Sequence, residues 1–330
     1  MQERLAQLVN LLASICTFEQ ITEAQRIVDE EAPKLWAQVP EDHIWRAKEA
    51  HAKTVAAKGT IILKDMGLDP DKNPLAQLLL FIMSIHDLGR AIDALRSIDQ
   101  LPAGFNKDDD HGIYTLQLLK LWGVLDLFLM DNNGAGILLS FVIKNHAAKQ
   151  TPATVLIYAL PLEEACFLTL ALVRDLDKIA IYEEKTRPYI FSATEREGQA
   201  LIIRKRFNPD YLPDDGPISD IVLQTFISGQ QIERPWMMNN CDYMLQFLSW
   251  IRDVNFDTVL KQIVATDAIH VLLGYIFETQ KMEVWAPIVN TTNDYLISRE
   301  IWHGVNAGVA AQYYKTAKYK FSYKDGEYPG

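Results

Sequence analysis

Six side chains carry the chemistry open to this sequence: His51, His86, Asp87, His111, His146 and Asp177. The chain has seven histidines, and five of them fall between residues 43 and 146. His86 and Asp87 are adjacent and follow the apolar run 75–85. An imidazole and a carboxylate buried together are costly unless a partner compensates them. A metal ion is such a partner. Neutral imidazole plus carboxylate suits Zn, Fe, Mn, Co or Ni, and the absence of cysteine from the set disfavours a thiolate zinc site. There is no glycine-rich phosphate loop, because the pair Lys58-Gly59 stands in the wrong order for one.

These residues must be delivered by separate elements, and the apolar spacing is helical almost everywhere. The sequence predicts an all-α fold. Leu5, Leu8, Leu11 and Leu12 recur at helical spacing. Asp42 precedes a helix expected over 43–66, which Gly67 and Pro70 end and which carries His51. Asn73-Pro74 opens an apolar helix over 75–85, expected to be buried on all sides and to end at His86. Asp110 reads as the cap of a helix over 111–122, so His111 begins it and Gly123 stops it. Helices over 137–146 and 162–184 carry His146 and Asp177. Further helices are expected over 219–227, 241–251, 256–265 and 268–277. The stretch 189–207, with two apolar triplets around Glu197-Gly198, fits a small β-hairpin. Three prolines and a glycine mark 208–217 as a loop, and the tyrosine- and lysine-rich tail reads as a loose end or a docked strand.

The ordered series His51, His86-Asp87, Asp177 resembles the H…HD…D signature of the HD-domain metal-dependent phosphohydrolases. His51-Ala-Lys-Thr-Val55 resembles that family's first motif. His86-Asp-Leu-Gly-Arg90 resembles its HDxGK form, with Arg90 for lysine. His111-Gly-Ile-Tyr-Thr and Lys144-Asn-His146 resemble the elements that bring a third and fourth histidine. Val173-Arg-Asp-Leu-Asp-Lys178 resembles the closing motif, whose second aspartate is the usual ligand, so Asp177 is assigned and Asp175 is the fallback. The resemblance spans about 40–185. It implies an HD-domain helical core holding one or two divalent ions, among Mn, Fe, Ni, Co, Zn and Mg. His51, His86, Asp87 and Asp177 would hold one ion. Asp87, His111 and His146 would hold a second, with Asp87 bridging.

The resemblance also implies hydrolysis of a phosphate ester, on a nucleotide or other small phosphorylated metabolite, by a metal-bound hydroxide. Asp87, Arg90 and Lys178 are the candidate catalytic residues. Arg90, Lys149, Arg174 and Lys178 are the candidate substrate contacts, with an ion pair or a solvated surface as the plain reading of each. His43 lies about two turns before His51 and reads as surface or structural. His270 and His303 fall outside the matched region. Asp108-Asp109-Asp110 reads as a helix-capping acidic loop. Two other readings fit the same ligands: an HD-type di-iron oxygenase, and a non-catalytic HD module that senses a nucleotide.

Composition narrows the class further. The 330 residues include 32 Lys plus Arg against 43 Asp plus Glu, a net charge of -11. Such a chain repels a phosphate backbone, so a nucleic-acid polymer is disfavoured as partner, while a small phosphorylated substrate needs only local bases. Cys16, Cys166 and Cys241 are far apart, with no CxxC spacing, which reads as reduced thiols in a cytoplasmic protein. The run 75–85 is short of the roughly 18 residues of a membrane span, and the N-terminus has no signal-peptide pattern. The expected organisation is N-terminal helices over 1–40, the metal-binding core over 41–185, and a mostly helical region over 186–330 packed on it. A homodimer surface is an open role for that last region.

Overall fold

A computed structural model describes residues 1–43, 45–129, 134–147, 160–191 and 216–301, with side chains of the fourth span described over 161–183. Among these residues all regular structure is helical and there is no strand, so the all-α class holds. Residues 189–191, expected at the start of a hairpin, close a helix instead; 192–207 lie outside the described residues. So do Lys149, His303 and the C-terminal tail.

The chain divides into two compact units, Met1–Ala180 and Ile181–Gly330. The first contains α1 (Gln2–Leu11), α2 (Phe18–Trp36), α3 (Ala47–Asp65), α4 (Pro74–Ile85), α5 (Arg90–Ser97), α6 (His111–Leu121), α7 (Val124–Leu129) and α8 (Gly134–Asn145). It also holds the first two-thirds of α9 (Leu160–Phe191). At its centre is α4, with Leu75, Ala76, Leu78, Leu79, Phe81, Ile82, Met83 and Ile85 all buried. A helix apolar all round must be covered all round. Here α1, α2, α3 and α8 pack on it. Taken with the turn and α5, the segment Pro74–Ser97 is long and apolar enough to cross a membrane by length and composition, and most of its apolar window is buried inside the protein.

Local sequence sets where these helices start. Thr17 and Gln20 form a reciprocal capping box at α2. The Asn73 side chain accepts from the backbone N–H groups of Leu75 and Ala76, with Pro74 in the first turn of α4. Asp110 accepts from the Ile113 N–H at the start of α6. Helix α3 begins at Ala47, four residues later than the expected 43. Before it, two i→i−3 hydrogen bonds close turns, His43 N–H to Pro40 O and Arg46 N–H to His43 O. Trp45 packs against a buried cluster that includes Trp36 and Leu95.

The second unit contains α10 (Asp220–Ile227), α11 (Asn240–Ser249), α12 (Asp257–Ala265), α13 (Ala268–Thr279) and α14 (Met282–Ser298). Its central element is α11, every residue of which is buried. The polar groups on it are satisfied, as burial requires. Asp242 accepts from the Ser219 N–H at 2.8 Å, the Ser219 hydroxyl at 2.6 Å and the Met238 N–H at 2.9 Å. The aromatic rings on and just after α11 pack on one another: Tyr243 meets Phe247, and Phe247 meets Trp250, edge to face.

Candidate metal centre

Five elements of the first unit converge on one carboxylate. His51 comes from α3, His86 and Asp87 from the turn after α4, His111 from the first position of α6, His146 from the residue after α8, and Asp177 from α9. All four histidines and Asp87 are buried. Asp177 is the open member, its side chain 31% exposed.

The two oxygens of Asp87 face two different groups. Oδ2 lies 4.0 Å from His51 Nε2 and 3.8 Å from His86 Nε2. Asp177 Oδ1 completes that group, 2.7 Å from His51 Nε2 and 3.8 Å from His86 Nε2. Oδ1 of Asp87 lies 3.4 Å from His111 Nε2 and 3.5 Å from His146 Nε2, which are 3.0 Å from each other. Within each of these two groups the candidate ligand atoms lie within 4.8 Å of one another. Asp175, two residues from Asp177, is fully buried and pairs with Lys178 at 3.3 Å; it belongs to neither group.

Hydrogen bonds behind the rings fix their tautomers. His86 Nδ1 is 2.8 Å from Met83 O, and His146 Nδ1 is 2.7 Å from Ile143 O. A carbonyl can only accept, so each Nδ1 carries the proton and each Nε2 presents a lone pair to the site. His86 Nε2 is buried and has no hydrogen-bond partner among the described residues. Its lone pair faces two carboxylate oxygens at 3.8 Å. An unsatisfied buried acceptor costs about 1–3 kcal/mol, and a cation between these atoms would remove the cost. The donor set therefore fits a divalent ion held by imidazole and carboxylate.

Electrostatics point the same way. Burial on its own pushes the Asp87 carboxyl up, but the neighbouring cations Lys48 and Arg90 help hold it well below the usual carboxylate range. Burial also pushes Asp177 up, and the hydrogen bond to His51 with the nearby Lys48 helps hold it well below. His111 is held well below the usual histidine range by burial and then by Arg90, with Asp87 opposing. Both carboxylates are thus ionised and His111 is neutral at neutral pH, the protonation states that ligands need.

Around this centre the sequence-derived bases separate. Arg90 is present, its Nε 3.5 Å from Asp87 Oδ1. Its guanidinium is also held by Asp93 at 2.9 Å and lies over the Trp45 ring, 4.7 Å from the centroid. Lys178 is buried on α9 beside Asp175, and Arg174 is half-buried on the same helix. His43 meets the Ser97 hydroxyl at 2.8 Å and accepts from the Trp45 N–H, and it belongs to neither ligand group. His270 sits in the second unit near Asp267.

Sequence reasoning passed over Lys48. Its Nζ lies 3.0 Å from Asp87 Oδ2. It stands three residues before His51, hence on the same face of α3, and that spacing was the available signal. The lysine inside the first motif, Lys53, is instead exposed and paired with Glu49 at 3.7 Å. Also passed over was the seating of the His86–Gly89 turn. The Gly89 N–H donates to Thr115 Oγ1 at 2.8 Å, and that hydroxyl donates to His111 O at 2.9 Å. A Cβ on Gly89 would lie 2.8 Å from Thr115 N and closer still to His111 O, so only glycine lets the turn rest on the start of α6.

The chain matches no protein-family model, no curated protein and no solved structure.

Proposed function

We propose that this protein is a metal-dependent phosphohydrolase acting on a small phosphorylated molecule, in the manner of the HD-domain enzymes its motifs resemble. One observation carries the reading: the single buried carboxylate of Asp87 turns one oxygen to the His51, His86 and Asp177 group and the other to the His111 and His146 group. A divalent ion bound there would act as a Lewis acid on a phosphoryl oxygen and lower the pKa of its water from 15.7 towards about 7. His51, His86, Asp87 and Asp177 would hold one ion, and Asp87, His111 and His146 a second.

The charges at the centre favour an anionic substrate. Asp87, Asp177 and Asp93 are matched one for one by Lys48, Arg90 and Arg96, so divalent ions bound there would leave the centre with excess positive charge. A phosphate ester offsets that charge and a neutral substrate does not. The protein's own groups do the rest. Met83 O and Ile143 O aim the lone pairs of His86 and His146. Asp93 and Trp45 fix Arg90 against Asp87.

The test is phosphate release by Mn-loaded protein from a panel of nucleotides, a phosphomonoester and a phosphodiester. Release that a chelator abolishes and Mn restores is expected. No release from any of them, with ion demonstrably bound, would contradict the proposal.

A further inference from the structure

A third buried carboxylate, Asp93, holds no ion-binding position, yet both of its oxygens are engaged. Arg90, Asp93 and Arg96 stand three apart on α5 and so share one face. Asp93 Oδ2 accepts from Arg90 at 2.9 Å, and Oδ1 accepts from Arg96 at 2.7 Å. The Arg90 arm ends at Asp87 Oδ1, 3.5 Å from Arg90 Nε. The Arg96 arm ends on the segment leading into α6. Arg96 donates to Lys107 O at 2.7 Å, to Asp109 O at 3.0 Å and to the Tyr114 hydroxyl at 3.3 Å. That hydroxyl donates in turn to Asn106 O at 2.6 Å. The next residues are Asp110, which caps α6, and His111, which begins it.

Both arms therefore arrive at the same place. Asp87 Oδ1 is the oxygen that faces His111 and His146. Among the described residues, no hydrogen bond or ion pair of Arg90, Asp93 or Arg96 reaches His51, His86 or Asp177. We propose that Asp93 is a positioning residue for the Asp87, His111 and His146 group alone: through Arg90 it fixes Asp87 Oδ1, through Arg96 it fixes the start of α6, and so it sets the spacing that a second ion needs. This rests on the two-ion reading of the proposed hydrolase. Without the Asp93 charge, two guanidinium groups would face each other with no shared anion, and both arms would loosen.

The experiment is calorimetric titration of Mn into chelator-stripped full-length protein, with electron paramagnetic resonance of the loaded samples, for wild type, Asp93→Asn, Arg96→Met and His146→Ala. Circular dichroism shows which variants are folded. His146→Ala removes a ligand of the second group only and serves as the one-ion reference. Wild type is expected to take up two ions and show the spectrum of a coupled Mn pair. Asp93→Asn should bind one ion as wild type does and the other about 10–100-fold more weakly, the usual effect of losing a group behind the ligands. Its retained ion should give the isolated-Mn spectrum of His146→Ala. Arg96→Met, which cuts one arm only, should weaken the same ion less. Undiminished binding of both ions by Asp93→Asn would overturn the Asp93 assignment and leave the two-ion centre standing. Equal weakening of both ions, or a retained ion unlike that of His146→Ala, would also overturn it. If Asp93→Asn does not fold, Arg96→Met decides, and wild-type affinity for both ions there overturns the assignment. Fewer than two ions in wild type would overturn the two-ion reading and the assignment with it.

Discussion

Replacing Gly89 with alanine should damage fold and centre together. Gly89 has φ -63 and ψ -10, a conformation alanine adopts freely. Without a clash the change would stabilise the protein by about 0.4–1 kcal/mol, through the unfolded chain. The added Cβ would instead lie 2.8 Å from Thr115 N and 2.9 Å from His111 C, where ordinary contact begins at 3.4 Å. Both obstacles are backbone, so no side chain can swing aside. His111 O is closer still, so the start of α6 must move by more than about 1 Å to restore that contact. Overpacking of this kind costs about 1–3 kcal/mol, and stretching the Gly89–Thr115 hydrogen bond adds about 1 kcal/mol. The expected net loss is about 2–3 kcal/mol, measured by denaturant unfolding. His111 moves with its backbone, and metal geometry tolerates only about 0.2 Å. Mn stoichiometry should therefore drop from two ions per chain to one. Gly134→Ala serves as control, since its Cβ would meet only the Ile15 side chain at 3.3 Å or more. Wild-type stability or better in Gly89→Ala would refute this reasoning.

Other outcomes follow from the same geometry. Asp177→Asn should drop from two ions per chain to one and keep most of its stability. Asp175→Asn should show the reverse, losing about 3 kcal/mol because Lys178 is buried beside it; unfolding curves and metal analysis on both variants decide this. Burial pushes the Cys16 and Cys166 thiols up to about 12 and leaves Cys241 without solvent contact. Ellman's reagent at pH 8 should label none of the three in folded protein and all three after denaturation. Burial lowers His270 from its ordinary 6.5, with Asp267 opposing. The unfolded chain therefore takes up this proton first, and stability falls as pH drops below about 6.5. Urea midpoints between pH 7 and 5 should fall more steeply for wild type than for His270→Gln.

Much of this was legible in the sequence where local chemistry decides. Asn73-Pro74 and Asp110 announced the starts of α4 and α6, and both side chains cap as their types suggest. The choice between Asp175 and Asp177 followed from the motif. On a helix two residues apart point about 200° apart, so when one faces the histidines the other cannot. What stayed hidden depends on contacts across the fold. Lys48 looked like any basic residue on a helix, and only the packing of α3 against α4 places it on Asp87. The reason for Gly89 lies in the backbone of α6, distant in sequence. Helices α2 and α14 contain Pro33 and Pro287, residues that punctuate a sequence reading, yet both helices continue through them. The late start of α3 reflects Trp45 turning into the cluster around Trp36.

The central claim is that Asp87 joins two ion-binding groups, and Mn titration of chelator-stripped protein tests it most directly. Wild type should take up two ions per chain, and Asp87→Asn, which removes the shared charge, should bind neither tightly. No uptake by wild type, or uptake by Asp87→Asn with unchanged stoichiometry and affinity, would contradict it.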